Sequence, residues 1–256
     1  GIYFFAQQFA SLPQKLKTSF EPVLGPVITR NVIERNYGAI ARQVCQVGFW
    51  ITAAQAGIAL ALAIPATGLM GLGGPDFVQG TGALILLLAA EVVAATAVVS
   101  EAALVYLARY RNLVVSVLTI GLQAVLTVAG AGLVTRLGYG PGWQVAAAAG
   151  ALTLSLAFAS LVKSFLLSRI LSERINNWRW ALAWAVLPAT AVGLVAKHTL
   201  PEWASMVIGI PAMIGIYVLL LWHKGFGPED RVLFRRQVEG EGGDGNGDGA
   251  STGAGR

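Results

Sequence analysis

"GALILLLAAEVVAATAVVSEAALVYLARYR", residues 82–111, decides the fold. Between Gly82 and Leu107 its charged side chains are Glu91 and Glu101, and the stretch ends on Arg109 and Arg111. As a helix, residues 82–107 would extend about 39 Å at about 1.5 Å per residue. That exceeds the hydrocarbon core of a bilayer, about 30 Å. Small and branched apolar side chains occupy every side of that helix, so it has no soluble face. It is a membrane span, and it carries two carboxylates.

The rest of the chain is built in the same way. Of its 256 residues 55% are hydrophobic and 12% charged. A soluble domain needs about 25% charged residues to cover its surface. Apolar runs separated by Gly, Pro and polar punctuation predict seven transmembrane helices, at 3–29, 41–65, 82–107, 113–135, 143–168, 180–197 and 202–222. The fold class expected is an all-α, polytopic membrane helix bundle; the short alternating strands of a β-barrel are not visible. Residues 1–236 form the transmembrane unit, closing on the basic juxtamembrane segment "HKGFGPEDRVLFRRQ". Residues 237–256, rich in Gly and nearly devoid of apolar side chains, are expected to be a disordered cytoplasmic tail.

Basic residues orient the bundle. The loop after the first span carries Arg30, Arg35 and Arg42; the next holds Asp76 and neither Lys nor Arg. Then come Arg109 and Arg111, Arg136 alone, Arg169 with Arg174 and Arg179, Lys197 alone, and a tail with Lys224, Arg231, Arg235 and Arg236. The alternation is strict. It predicts a first helix that starts outside and a tail that ends inside, and it implies a further helix before residue 1. The formal charge of +5 belongs to this topology and not to nucleic-acid binding. Cys45 is the single cysteine, so neither a disulfide framework nor a cysteine metal cluster is expected. His198 and His223 fall at helix ends and read as interfacial side chains, as do Trp178, Trp180, Trp203 and Trp222.

The first span departs from this oil. "YFFAQQFASLPQKLKTSFEPVLGPVIT", residues 3–29, holds two lysines, a glutamate, three glutamines and three prolines. At about 100° per residue, Gln7, Ser11, Gln14, Thr18 and Glu21 share a stripe about 80° wide, with Lys15 and Lys17 about 80° from its centre on opposite sides. Charges near mid-bilayer cost roughly 2.5–3.5 kcal/mol each on insertion scales and are tolerated where they face protein or water. Pro13, Pro22 and Pro26 fit a helix that lines a cavity. The structural alternative is a Lys17–Glu21 pair, with Lys15 bonded to neighbouring helices.

This span, with Gly1, Tyr3, Ala6, Ala10, Leu12, Pro13 and Pro26 at matching places, resembles the eighth helix of polysaccharide flippases in the multidrug/oligosaccharidyl-lipid/polysaccharide exporter superfamily. "LVYLARYRN" (104–112) and "LGYGPGW" (137–143) are similar to that family's punctuation between later helices. The resemblance spans residues 1–235. It implies the second lobe of a two-lobe, fourteen-helix transporter whose missing first half precedes this chain. Such proteins flip undecaprenyl-pyrophosphate-linked oligosaccharides across the bacterial inner membrane for lipopolysaccharide, O-antigen or exopolysaccharide synthesis. Gln7, Gln14, Lys15, Lys17, Thr18 and Glu21 would line the substrate cavity.

Elsewhere, Glu91 and Glu101 are the candidates for proton or sodium coupling, since burial raises a carboxylate toward titration near neutrality. A salt bridge from Glu101 to Lys163, at similar depth, is the structural alternative. Ser116, Thr119, Gln123, Thr127 and Gly130 share one face and mark helix packing, as does "QVAAAAGALTLSLAFAS" on the fifth span. No nucleotide fingerprint, metal-ligand spacing or catalytic motif is present, so no cofactor and no enzyme activity are expected. A drug or cation antiporter of the same superfamily is the alternative that Glu91 keeps open. A membrane glycan polymerase or ligase is disfavoured, because the outer loops offer only Asp76, Arg136, Lys197, His198 and Glu202. A degenerate scaffold remains a further alternative.

Overall fold

The computed structural model describes residues 1–173, 175, 180–199, 201 and 204–225, with the backbone alone for 16–27, 205 and 206. The expected disordered tail, 237–256, lies outside the described residues, as do Arg174, Trp178, Arg179, Glu202 and Trp203. Among the described residues the fold is all-α, without strands. The helices are α1 (Ile2–Ile33), α2 (Tyr37–Ala63), a short α3 (Ala66–Gly71), α4 (Thr81–Leu107), α5 (Arg109–Arg136), α6 (Pro141–Leu171), α7 (Trp180–Thr199) and α8 (Ile210–Gly225). A 3-10 turn, Pro75–Gly80, leads into α4, and a π-turn, Ser205–Gly209, leads into α8. Six segments are long and apolar enough to span a membrane: Tyr37–Ala63, Pro75–Leu107, Arg109–Arg136, Pro141–Leu171, Trp180–Thr199 and Val207–Gly225. With α1 they make the polytopic bundle expected from the sequence.

The boundaries differ in instructive ways. Residues 66–81, expected as an open loop, fold into α3 and the 3-10 turn, because Ala66 and Met70 find apolar cover against Ala6 and Leu84. "RYRN", expected as punctuation, is the first turn of α5. Ala108 alone separates α4 from α5, with φ −153° and ψ 55°. Helical bonding continues through it: its N–H donates to the Leu104 carbonyl at 2.8 Å, and its own carbonyl accepts from Asn112 N–H at 3.0 Å. Arginines do not break a helix; only the backbone of Ala108 does so here.

Central α4 packs against α6, α2 and α1. The α4–α6 seam uses small side chains, and hydroxyls reach across it to the backbone. Thr153 Oγ1 donates to the Leu86 carbonyl at 3.0 Å and Ser160 Oγ to the Val93 carbonyl at 2.7 Å. These bonds satisfy hydroxyls that would otherwise be stranded in hydrocarbon. At the far end Gly142, in the "LGYGPGW" motif, admits no side chain: a Cβ there would stand 2.7 Å from the Gln79 carbonyl. α7 and α8 pack chiefly on each other and join the bundle through α2. There the Tyr217 hydroxyl donates to the Ala53 carbonyl at 2.7 Å.

Two apolar clusters mark the ends of the bundle. One gathers Ile28, Ile40, Ala103, Leu104, Leu167 and Leu171. The end of α1, the start of α2, and the ends of α4 and α6 therefore lie together. The helix ends holding Arg30, Arg42, Arg109, Arg111 and Arg169, and the turn holding Arg35, thus share one end of the bundle. The other cluster joins Ala6, Ala66, Met70, Ala83 and Ala149 at the opposite end. His198 and His223 are exposed at the ends of α7 and α8, and Trp180 and Trp222 are likewise exposed at helix ends.

Candidate functional site

A span that keeps Ala6, Ala10 and Pro13 buried can pack closely on its neighbours, because none of the three projects a long side chain. α1 does this against α4 and α2. Its opposite face exposes Phe4, Gln8, Leu12 and Lys15, and Gln14 is exposed at its flank. Of the cavity-lining candidates, then, Gln14 and Lys15 are exposed near the middle of α1. Gln7 is half-buried, and its Oε1 makes no hydrogen bond among the described residues. The side chains of Lys17, Thr18 and Glu21 lie outside the described residues. Gln8, exposed on the same face as Lys15, belongs with this group although the projected stripe omits it.

Behind that face lies a polar layer. Glu91 is 6% exposed and sits among the buried residues of α4. Ile51 and Ala95 share one apolar cluster, and Ala59 and Leu87 share the other. Gln55, midway between Ile51 and Ala59, therefore stands at the level of Glu91, midway between Leu87 and Ala95. Gln55 is fully buried, and its Nε2 donates to the Pro13 carbonyl of α1 at 3.2 Å. Its Oε1 has no hydrogen-bond partner among the described residues. A buried amide with one unmatched acceptor is unusual and costs stability unless something donates to it. Pro13 of α1, Gln55 of α2 and Glu91 of α4 thus form one polar level between the two apolar clusters, with Gln14 and Lys15 following Pro13 on the open side.

Glu101 belongs to a different place. It lies about 15 Å from Glu91 along the axis of α4 and about 80° around it. Its Oε2 accepts from Lys163 Nζ of α6 at 2.8 Å, and Oε1 accepts from Asn112 Nδ2 of α5 at 3.4 Å. Lys163 also donates to Ser116 Oγ at 3.2 Å. The lysine side chain is 6% exposed, and that of Glu101 is 41% exposed. The salt bridge suggested by their similar depth is present, and it fastens α5 to α4 and α6. Gly130, further along the same stripe of α5, faces Ala147 of α6, so a Cβ there would meet the Ala147 methyl at 3.4 Å. The stripe expected to mark packing packs on α6.

A cavity of about 580 Å³ opens between α2, α4 and α6. Thr52, Thr96, Ser160, Ser164 and Ser168 are among its lining residues, and among the described residues none of the candidates named from sequence lines it. Its hydroxyls come from three helices that are far apart in the chain, so no local spacing announces it.

No family model, no curated protein and no solved structure matches this chain.

Proposed function

We propose that the chain is a lobe of a flippase that moves a lipid-linked oligosaccharide, carried on undecaprenyl pyrophosphate, outward across the bacterial inner membrane. The observation that supports this is the exposure of Gln14 and Lys15 near the middle of α1, at the level of the buried Gln55 and Glu91. A charged side chain exposed at that depth is costly against lipid, so a watery vestibule, or a second lobe across it, would cover this face. Lysine suits a pyrophosphate as a compact point charge. At an effective dielectric of about 20, a pair of unit charges 4 Å apart attracts by about 4 kcal/mol. Lys15 and Lys17 would hold the head group, Glu91 would couple transport to a proton or sodium ion, and the glycan would pass between this lobe and a preceding one. The basic end would face the cytoplasm, with the C-terminus on that side. No bond is made or broken; the activity is transport.

The burial of Glu91 favours one second reading, a drug or cation antiporter, in which that carboxylate binds the cargo. Surface-glycan export in cells expressing the protein separates the two. Lys15→Ala with Lys17→Ala should abolish export at matched expression, while an antiporter would lose efflux of cationic dye with Glu91→Gln and be indifferent to the lysines. Cysteines at 14 and 15 should react with a membrane-impermeant maleimide. Sealed cysteines together with normal export in the lysine double variant would sink the flippase.

A further inference from the structure

Among the described residues the cavity between α2, α4 and α6 is lined by none of α1, and neither Gln14 nor Lys15 reaches it. Its size falls within the roughly 300–1,000 Å³ typical of small-molecule sites. One lip is the outer face of α6, where Leu161 is 73% and Phe165 63% exposed. The cavity therefore has a lateral mouth along the outer face of α6.

Its chemistry turns on where the hydroxyls point. Thr52 Oγ1 donates to the Gly48 carbonyl at 2.7 Å, Ser160 Oγ to Val93 at 2.7 Å, and Ser168 Oγ to Glu173 at 2.7 Å. Ser164 Oγ shares a 3.3 Å hydrogen bond with Ser100 Oγ. Three of the five hydroxyls thus have their protons committed within the protein, and Ser164 is paired with Ser100, so they offer a ligand mainly acceptor lone pairs. The rest of the lining is hydrocarbon, from Val92, Val93, Ala157, Leu161, Phe165 and Ile175. One turn beyond Phe165, at the basic end, the Arg169 guanidinium lies 5.2 Å above the centre of the Phe165 ring. An apolar trough that opens to the side and ends at an arginine matches an amphiphile with an anionic head.

We propose that this cleft holds one acyl chain of an anionic membrane phospholipid, with the lipid phosphate on Arg169. The chain displaces water or disordered lipid from the trough, and the guanidinium meets phosphate in a geometry that suits its planar fork. The ligand is a resident lipid, distinct from any transported cargo.

Photolabelling of the purified full chain tests this. The probes are phosphatidylglycerol and phosphatidylcholine, each with a diazirine midway along an acyl chain. Phosphatidylglycerol should label residues 92–96 and 157–165 preferentially, and phosphatidylcholine should label them more weakly. Arg169→Gln should reduce the preference by about fivefold, which corresponds to about 1 kcal/mol for one basic residue at a membrane surface. Ala157→Phe, which fills the trough, should remove labelling of 92–96 by both lipids. Labelling spread evenly over the exposed face of α5 would overturn the proposal, and that map from the unaltered chain decides the matter even if Ala157→Phe fails to fold. Full competition by inorganic phosphate would also overturn it, since it would leave an anion site without a chain.

Discussion

α1 and α5 are both long helices at the edge of the bundle, and they turn opposite faces outward. α5 exposes Leu113, Val117, Leu118, Ile120, Val125 and Val128 and turns Asn112 and Ser116 inward toward Glu101 and Lys163. α1 buries Ala6 and Ala10 and exposes Gln8, Gln14 and Lys15. The physical lesson concerns what lies outside each helix. Apolar side chains facing out are at equilibrium with lipid, so α5 needs no further cover. Amides and an ammonium facing out sit less readily in lipid, which is what the proposed vestibule beside α1 would answer.

The largest effect should come from the inward polar face of α5. Glu101→Ala strands the Lys163 ammonium, whose side chain is 6% exposed, without its carboxylate. Loss of about 3 kcal/mol is expected, the low end for a broken buried pair, because Glu101 is itself 41% exposed and Lys163 keeps Ser116. Lys163→Met in the same chain should return most of it, as read by thermal unfolding in detergent. If Glu101→Ala alone left stability unchanged, the inward face would not be what holds α5.

A pair of substitutions probes the contrast directly. Ile120→Lys, on the exposed apolar face of α5, should cost roughly 2.5–3.5 kcal/mol of insertion free energy. Leu12→Lys, on the exposed face of α1, should cost well under half of that. Equal penalties in a membrane-insertion assay would erase the distinction between the two faces.

Smaller effects sharpen it. Gln55→Leu removes the bond to the Pro13 carbonyl together with a buried acceptor that lacks a donor. The two changes oppose each other, so stability should shift by no more than about 1 kcal/mol. Transport should fall further than stability does if this layer serves the vestibule. Ser116→Ala deletes one of the two side-chain acceptors of Lys163 and should cost about 0.6 kcal/mol, the average for such bonds between membrane helices. Denaturant titration in mixed micelles would measure both.

The sequence made the spans legible because a bilayer imposes length and composition together. It also made the Glu101–Lys163 pair legible, since two opposite charges at one depth in hydrocarbon have few alternatives to meeting. Gln55 was not legible. A lone glutamine within "WITAAQAGIALALA" carries no sign of its partner, and the carbonyl it bonds lies 42 residues away. The trough was hidden for a related reason: a serine reads as polar until its hydroxyl is seen to be engaged with a carbonyl. The α4–α5 joint was misread because "RYRN" looks like a loop by charge, whereas the break is a matter of backbone angles at Ala108. Lys17, Thr18 and Glu21 remain sequence-based candidates, their side chains lying outside the described residues.

The Ala108 joint has a mechanical corollary. Two helices of 27 and 28 residues meet at one residue whose hydrogen bonds are kept on both sides. Such an elbow has no slack to stretch, so α5 cannot slide lengthwise without dragging α4 with it. Its remaining freedom is to pivot about Ala108, and Lys163, bonded to Ser116 two turns along, acts as the stop on that swing.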